Sequence, residues 1–106
     1  MNQEEAALQL ILQGGDARAL SYEALKAAKS GDFREAEMKL KEAGEALAGA
    51  HAAQKSLLEK EARGEALTPT FLLVHAHGHV MTATAELSLI EQMIDLYKRL
   101  PPEEPA

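Results

Sequence analysis

The chain has 106 residues, a formal net charge of −6, and no Cys or Trp. That length holds one domain with a modest core, the lack of Cys excludes disulfides and thiolate metal sites, and the acidic balance argues against a nucleic-acid partner. No apolar run approaches the roughly 20 residues needed to cross a bilayer, and the acidic N-terminus is unlike a signal peptide, so a cytoplasmic protein without direct membrane insertion is expected.

With four aromatic residues, Tyr22, Phe33, Phe71 and Tyr97, the core must come mainly from Ala, Leu, Ile and Met, which favours helix packing over a sheet. A first helix is predicted over about 3–29. Leu8, Ile11, Gly15, Arg18, Tyr22 and Leu25 recur at spacings of three and four and predict its buried face. Gly14 and Gly15 fit either a close helix crossing or a break. Arg18 on this stripe fits either a snorkelling side chain or an anion-binding one, for a phosphate in particular.

Ser30, Gly31 and Asp32 end that helix and start the next. Gly31 suits the left-handed residue after a helix, and Asp32 with Glu35 suits a capping box. The second helix is predicted over about 33–63, with Ala36, Leu40, Ala43, Leu47, Ala50, Gln54, Leu57 and Glu61 as its stripe. Small residues in its middle allow a neighbour to approach closely. His51 and Gln54 are either boundary residues or a polar site across the helix interface. Thr68 as cap and Pro69 in the first turn begin a third helix, predicted over about 69–100. Pro101 and Pro102 stop it, leaving 101–106 as a disordered, solvated tail. Short connections make sequential neighbours antiparallel, so the expected fold is an all-α antiparallel three-helix bundle in one domain over 1–100.

The third helix has two apolar stripes. Leu73, Ala76, Val80, Ala83, Leu87, Ile90 and Ile94 should pack on the other two helices, while Gly78, Ala85, Leu89, Met93, Leu96 and Leu100 lie on the far side. A helix apolar on two sides implies a partner chain, so an oligomer with helix three near its axis is expected.

Three of the four histidines, His75, His77 and His79, lie in this helix between Leu72-Leu73-Val74 and Val80-Met81. Apolar surroundings disfavour a charged imidazole, and a neutral one offers the lone pair a nucleophile or metal ligand needs. At about 100° per residue, His75 and His79 project together along the border between the two stripes, whereas His77 turns toward the side of Glu91 and Asp95. His75 and His79 have the i, i+4 spacing of a two-ligand zinc site, but no nearby carboxylate completes it. A nucleophilic histidine in a groove between subunits is the better use of that border.

The run Val74-His75-Ala76-His77-Gly78-His79-Val80-Met81-Thr82-Ala83 resembles the Val-His-Ala-Gln-Asp-His-Leu-Met-Thr motif of the lactose/cellobiose-type IIA proteins of the phosphoenolpyruvate-dependent sugar phosphotransferase system. The resemblance spans nearly the whole chain. Gly15-Asp16-Ala17-Arg18, Gly31-Asp32-Phe33, Ala50-His51 with Gln54, and Ile94-Asp95-Leu96-Tyr97-Lys98 also match family patterns. It implies a homotrimer of three-helix bundles that relays a phosphoryl group. His75 would accept it from the carrier HPr and donate it to a cysteine of the cognate IIB protein. His79 would bond the phosphoryl or the ring.

Two positions depart from the motif: His77 replaces its Gln and Gly78 its Asp. In the family that Asp faces the trimer axis and can share a metal ion. Gly78 supplies no ligand, so no cofactor and no axial metal are expected. A non-catalytic interaction domain is the alternative reading, since Glu23 to Ala46 resembles one tetratricopeptide-type hairpin, but no second copy follows. The soluble component does not touch the sugar, so lactose, cellobiose and chitobiose all remain compatible.

Overall fold

The computed structural model describes residues 2–65 and 67–101, which form three helices, α1 (Gln3–Lys29), α2 (Phe33–Ala62) and α3 (Phe71–Arg99). At 1.5 Å per residue each is roughly 40–45 Å long. Local chemistry fixes their ends. The Asn2 side chain accepts the Glu5 N–H at 2.8 Å, and the Glu5 carboxylate accepts the Asn2 N–H at 3.4 Å, closing a capping box that the sequence reading had not placed. Gly31, at φ +84°, makes the predicted left-handed exit from α1, and Asp32 Oδ1 accepts the Glu35 N–H at 3.1 Å to open α2, a single cap without the return bond from Glu35 that the expected capping box requires.

The start of α3 differs from expectation. The helix begins at Phe71, two residues after Pro69, because the Thr70 hydroxyl accepts the Leu73 N–H at 3.1 Å and takes the capping role. Thr68 is engaged elsewhere: its N–H donates to Gln3 Oε1 at 3.0 Å, and its carbonyl accepts from the Gln3 side-chain amide. The α2–α3 connection is thereby tied to the start of α1. α2 ends at Ala62 and α3 at Arg99, each one residue short of its predicted end. The predicted tail, beyond Pro101, lies outside the described residues.

Cross-helix pairs give the chain directions. Glu23 meets Lys39 and Gln13 meets Gly49, so α1 and α2 run oppositely. Arg18 meets Glu86 and Gly14 meets His79, so α1 and α3 run together. α1 is the hub, packing extensively on both neighbours, while α2 and α3 touch each other far less. Polar side chains span that thinner seam: His51 to Thr84, Gln54 to His77, and Lys98 to Glu37.

This arrangement explains why the buried face predicted for α1 is misplaced. Leu8 and Tyr22 are exposed, and Ile11, Gly15, Arg18 and Leu25 are only half-buried. The buried residues are Ala6, Ala7, Leu10, Gly14, Ala17, Ser21, Ala24 and Ala28. Two helices close on α1, and close approach places the smallest side chains at the centre of contact with bulkier ones at its flanks. Weighting positions by hydrophobic size therefore selects the flank. Gly14 serves a crossing and interrupts nothing: an added Cβ there would lie 3.5 Å from the His79 carbonyl oxygen. Ser21 is accommodated because its hydroxyl donates to the Ala17 carbonyl at 2.7 Å.

The stripe predicted for α2 is largely inside. Ala36, Ala43, Leu47, Ala50 and Leu57 are buried, Leu40 and Gln54 half-buried, and Glu61 exposed. In α3 the predicted core stripe is buried apart from half-buried Leu73. Its second stripe, Gly78, Ala85, Leu89, Met93, Leu96 and Leu100, is exposed along its length. No described helix is long and apolar enough to cross a membrane.

Candidate functional site

The register that buries Ala76, Val80 and Ala83 sets the imidazoles at the edge of the α1–α3 contact. His75 is exposed and His79 half-buried. Their rings lie 4.9 Å apart at 69°, and Phe71, one turn earlier, stacks on His75 at 6.2 Å and 13°. The three rings thus form an i, i+4 column. The apolar enclosure expected around His75 is not there: Leu72, Leu73 and Val80 turn inward, and Phe71, 87% exposed, covers one face of the ring. Among the described residues, neither His75 nitrogen is hydrogen-bonded, whereas His79 Nδ1 is buried and unpartnered. Arg18, Gly78 and Thr82 complete an open pocket of about 310 Å³ with the two histidines.

Arg18 is held from behind. Its Nε lies 2.6 Å from Glu86 Oε1, and one terminal nitrogen donates to Oε2 at 3.4 Å. The neighbouring Tyr22 hydroxyl, with Arg18, holds Glu86 below the usual carboxylate range against the opposing effect of burial. The anionic carboxylate in turn raises the Tyr22 phenol above its ordinary value. A depressed folded-state carboxyl stabilises the fold above its unfolded value of about 4.3, and that stabilisation is lost as pH falls through the folded value. The melting temperature of a Glu86→Gln variant should therefore lie below the wild type at pH 7, with the gap closing as the pH drops below about 4. A gap independent of pH would exclude an ionised Glu86 as its source.

His77 sits on the opposite edge of α3, facing α2, the side predicted to hold Glu91 and Asp95. The Gln54 amide N–H donates to His77 Nδ1 at 3.0 Å. About two turns further along, the Thr84 hydroxyl donates to the Val80 carbonyl at 2.7 Å, so the His51 Nε2–H donates to Thr84 at 3.1 Å. His51 and Gln54 thus do form polar links across a helix interface, remote from the His75 edge. Among the described residues no group of three His, Asp or Glu side chains could hold a metal ion, and the His75–His79 pair has no third ligand.

Sequence reasoning missed Glu86, Tyr22 and Phe71 as members of the site. Glu86 was legible in principle: with α1 and α3 parallel, an acid next to buried Leu87 stands level with Arg18. Phe71 was legible too, since it lies one helical turn before His75.

Residues 5–98 match the family model described as the PTS system, Lactose/Cellobiose specific IIA subunit. The lichenan-specific phosphotransferase enzyme IIA component of Bacillus subtilis (strain 168) is 42% identical, with 92% of this chain and 88% of the relative aligned. The PTS system lactose-specific EIIA component of Lactococcus lactis subsp. lactis is 41% identical over 93% of this chain and 97% of its own. Among solved structures, the PTS cellobiose-specific enzyme IIA from Bacillus anthracis superposes with a TM-score of 0.91 at 41% identity, covering 93% of this chain and 91% of that one. A IIA(Chitobiose)–HPr complex gives a TM-score of 0.82 at 36% identity, covering 93% and 96%. A match over most of the length, in sequence and in fold, carries one conclusion: this chain belongs to the lactose/cellobiose-specific IIA family of the sugar phosphotransferase system.

Proposed function

We propose that this protein is a cytoplasmic phosphoryl carrier that takes the group from HPr onto His75 and passes it to a cysteine of a IIB partner. One observation carries the reading: the His75 ring is exposed at the mouth of a pocket, with no described hydrogen bond to either nitrogen, inside the span matched to the family. The neighbour solved with HPr supports that donor. The His75 lone pair attacks phosphorus in line as the donor's N–P bond breaks. The His75 N–H proton is surrendered and the leaving imidazole gains one, so PO₃ is exchanged for a proton. Transfer onward forms an S–P bond as the His75 N–P bond breaks. His79 is placed one turn away to hydrogen-bond the phosphoryl or the ring.

Incubation with phosphoenolpyruvate, the general phosphotransferase enzyme and HPr should add the mass of one HPO₃, acid-labile and mapping to His75. No adduct, or an adduct on another residue, overturns the reading.

The uncovered stripe of α3 supports a homotrimer with that helix near the axis. Gly78 offers no donor atom to an axial metal, and an added Cβ there would meet nothing within 4 Å. The family's metal does not fit this chain, and no step depends on one. Light scattering should give a trimer mass that EDTA leaves unchanged, while Leu89→Asp disperses it. A monomeric wild type, or dissociation by EDTA, would refute this assembly.

A further inference from the structure

We propose that Arg18 binds the phosphoryl group carried by His75, and that Glu86 is the positioning residue that aims its guanidinium. The inference rests on the His75 reading and adds an anion-binding group to it. Arg18 comes from a different helix but lines the same pocket as His75 and His79, and among the described residues it is the only permanently charged one lining it. One terminal N–H donates to Glu86 Oε2 and Nε is buried against Oε1 of the same carboxylate, so three of its five N–H groups are left for an anion. The side chain is 42% exposed, against 17% for Glu86, so the pair is anchored on the core side and open on the pocket side.

The electrostatic need is specific. A phosphoryl group brings close to two negative charges to a chain whose net charge is already −6. The other pocket side chains, His75, His79 and Thr82, offer hydrogen bonds but no permanent cation. A guanidinium fork held in place before the group arrives stabilises charge without rearranging. A purely structural Arg18–Glu86 pair would tie α1 to α3 equally well, and the experiment must separate these roles.

Arg18→Gln, Arg18→Lys and Glu86→Gln should be compared with the wild type in four measurements: thermal melting, the rate of acceptance from phospho-HPr, the hydrolysis half-life of the phosphoprotein, and the ³¹P titration of the phosphoryl group. Arg18→Gln should slow acceptance on the order of 100-fold. Arg18→Lys, which keeps charge without the fork, should fall between Arg18→Gln and the wild type. Glu86→Gln should also be slower than the wild type, because Arg18 remains but is no longer aimed. In the wild type the ³¹P titration should lie below that of free phosphohistidine, and Arg18→Gln should raise it. If melting falls while rate, half-life and titration stay at wild-type values, Arg18 is only structural and the proposal fails. Should Arg18→Gln not fold, a wild-type ³¹P titration at or above that of free phosphohistidine overturns it alone. A wild type that takes no phosphoryl on His75 defeats the parent reading instead, so the two failures are distinct.

Discussion

A His75→Ala variant should accept no phosphoryl group from phospho-HPr and yet melt within about 4 °C of the wild type. The loss should be complete because no neighbouring side chain can substitute as nucleophile in the same position. His79 is one turn away with Nδ1 buried, and His77 lies on the α2-facing edge, bonded to Gln54. The fold should persist because the His75 ring is exposed and stacks only against exposed Phe71 and the edge of His79. Surface substitutions of this kind usually change stability by no more than about 0.5 kcal/mol, and alanine favours a helix. Intact mass and circular dichroism on one preparation decide it. Phosphorylation surviving in the variant would move the nucleophile elsewhere, and a collapsed fold would make its loss uninformative.

The second large effect concerns α1, where two leucines two residues apart should behave oppositely. Leu10 is 1% exposed at the helix hub and Leu12 is 68% exposed. Leu10→Ala removes buried methyl groups and leaves a cavity, costing about 2–5 kcal/mol, whereas Leu12→Ala should stay within about 0.5 kcal/mol in the isolated bundle. At roughly 4–8 °C per kcal/mol for a domain near this size, the first lowers the melting temperature by about 10 °C or more. Both should be melted at one protein concentration, since association raises apparent stability. If Leu12→Ala is as damaging as Leu10→Ala, the register of α1 is different or Leu12 lies in a subunit contact, and a dilution series distinguishes these.

These expectations show where the sequence was readable. α3 was legible because its core residues from Val80 to Ile94, Ala83 apart, are large and regularly spaced, so size and burial coincide. α1 was not, because its buried arc, Leu10 apart, is built from Ala6, Ala7, Gly14, Ala17, Ser21, Ala24 and Ala28. Such residues are too small to stand out in a hydrophobic pattern, and their burial is a property of two neighbours closing on them. The start of α3 was missed for a related reason. Thr68 and Thr70 both suit a cap locally, and the long-range bonds from Gln3 to Thr68 leave Thr70 as the cap. The imidazole column was visible from spacing alone. Glu86, the partner of Arg18, needed the expected parallel run of α1 and α3 to be combined with the level at which they meet, which no local pattern contains.

The hub position of α1 also governs where this sequence can drift. A methylene added at Ala17 or Ala24, both 0% exposed, presses on the packed interior of the hub helix, through which α2 and α3 are held together. The loosely joined α2–α3 seam, by contrast, is bridged by side chains long enough to follow a small shift. A polar exchange at Glu37 should therefore have little consequence there, while the narrow alanine face of α1 admits almost none.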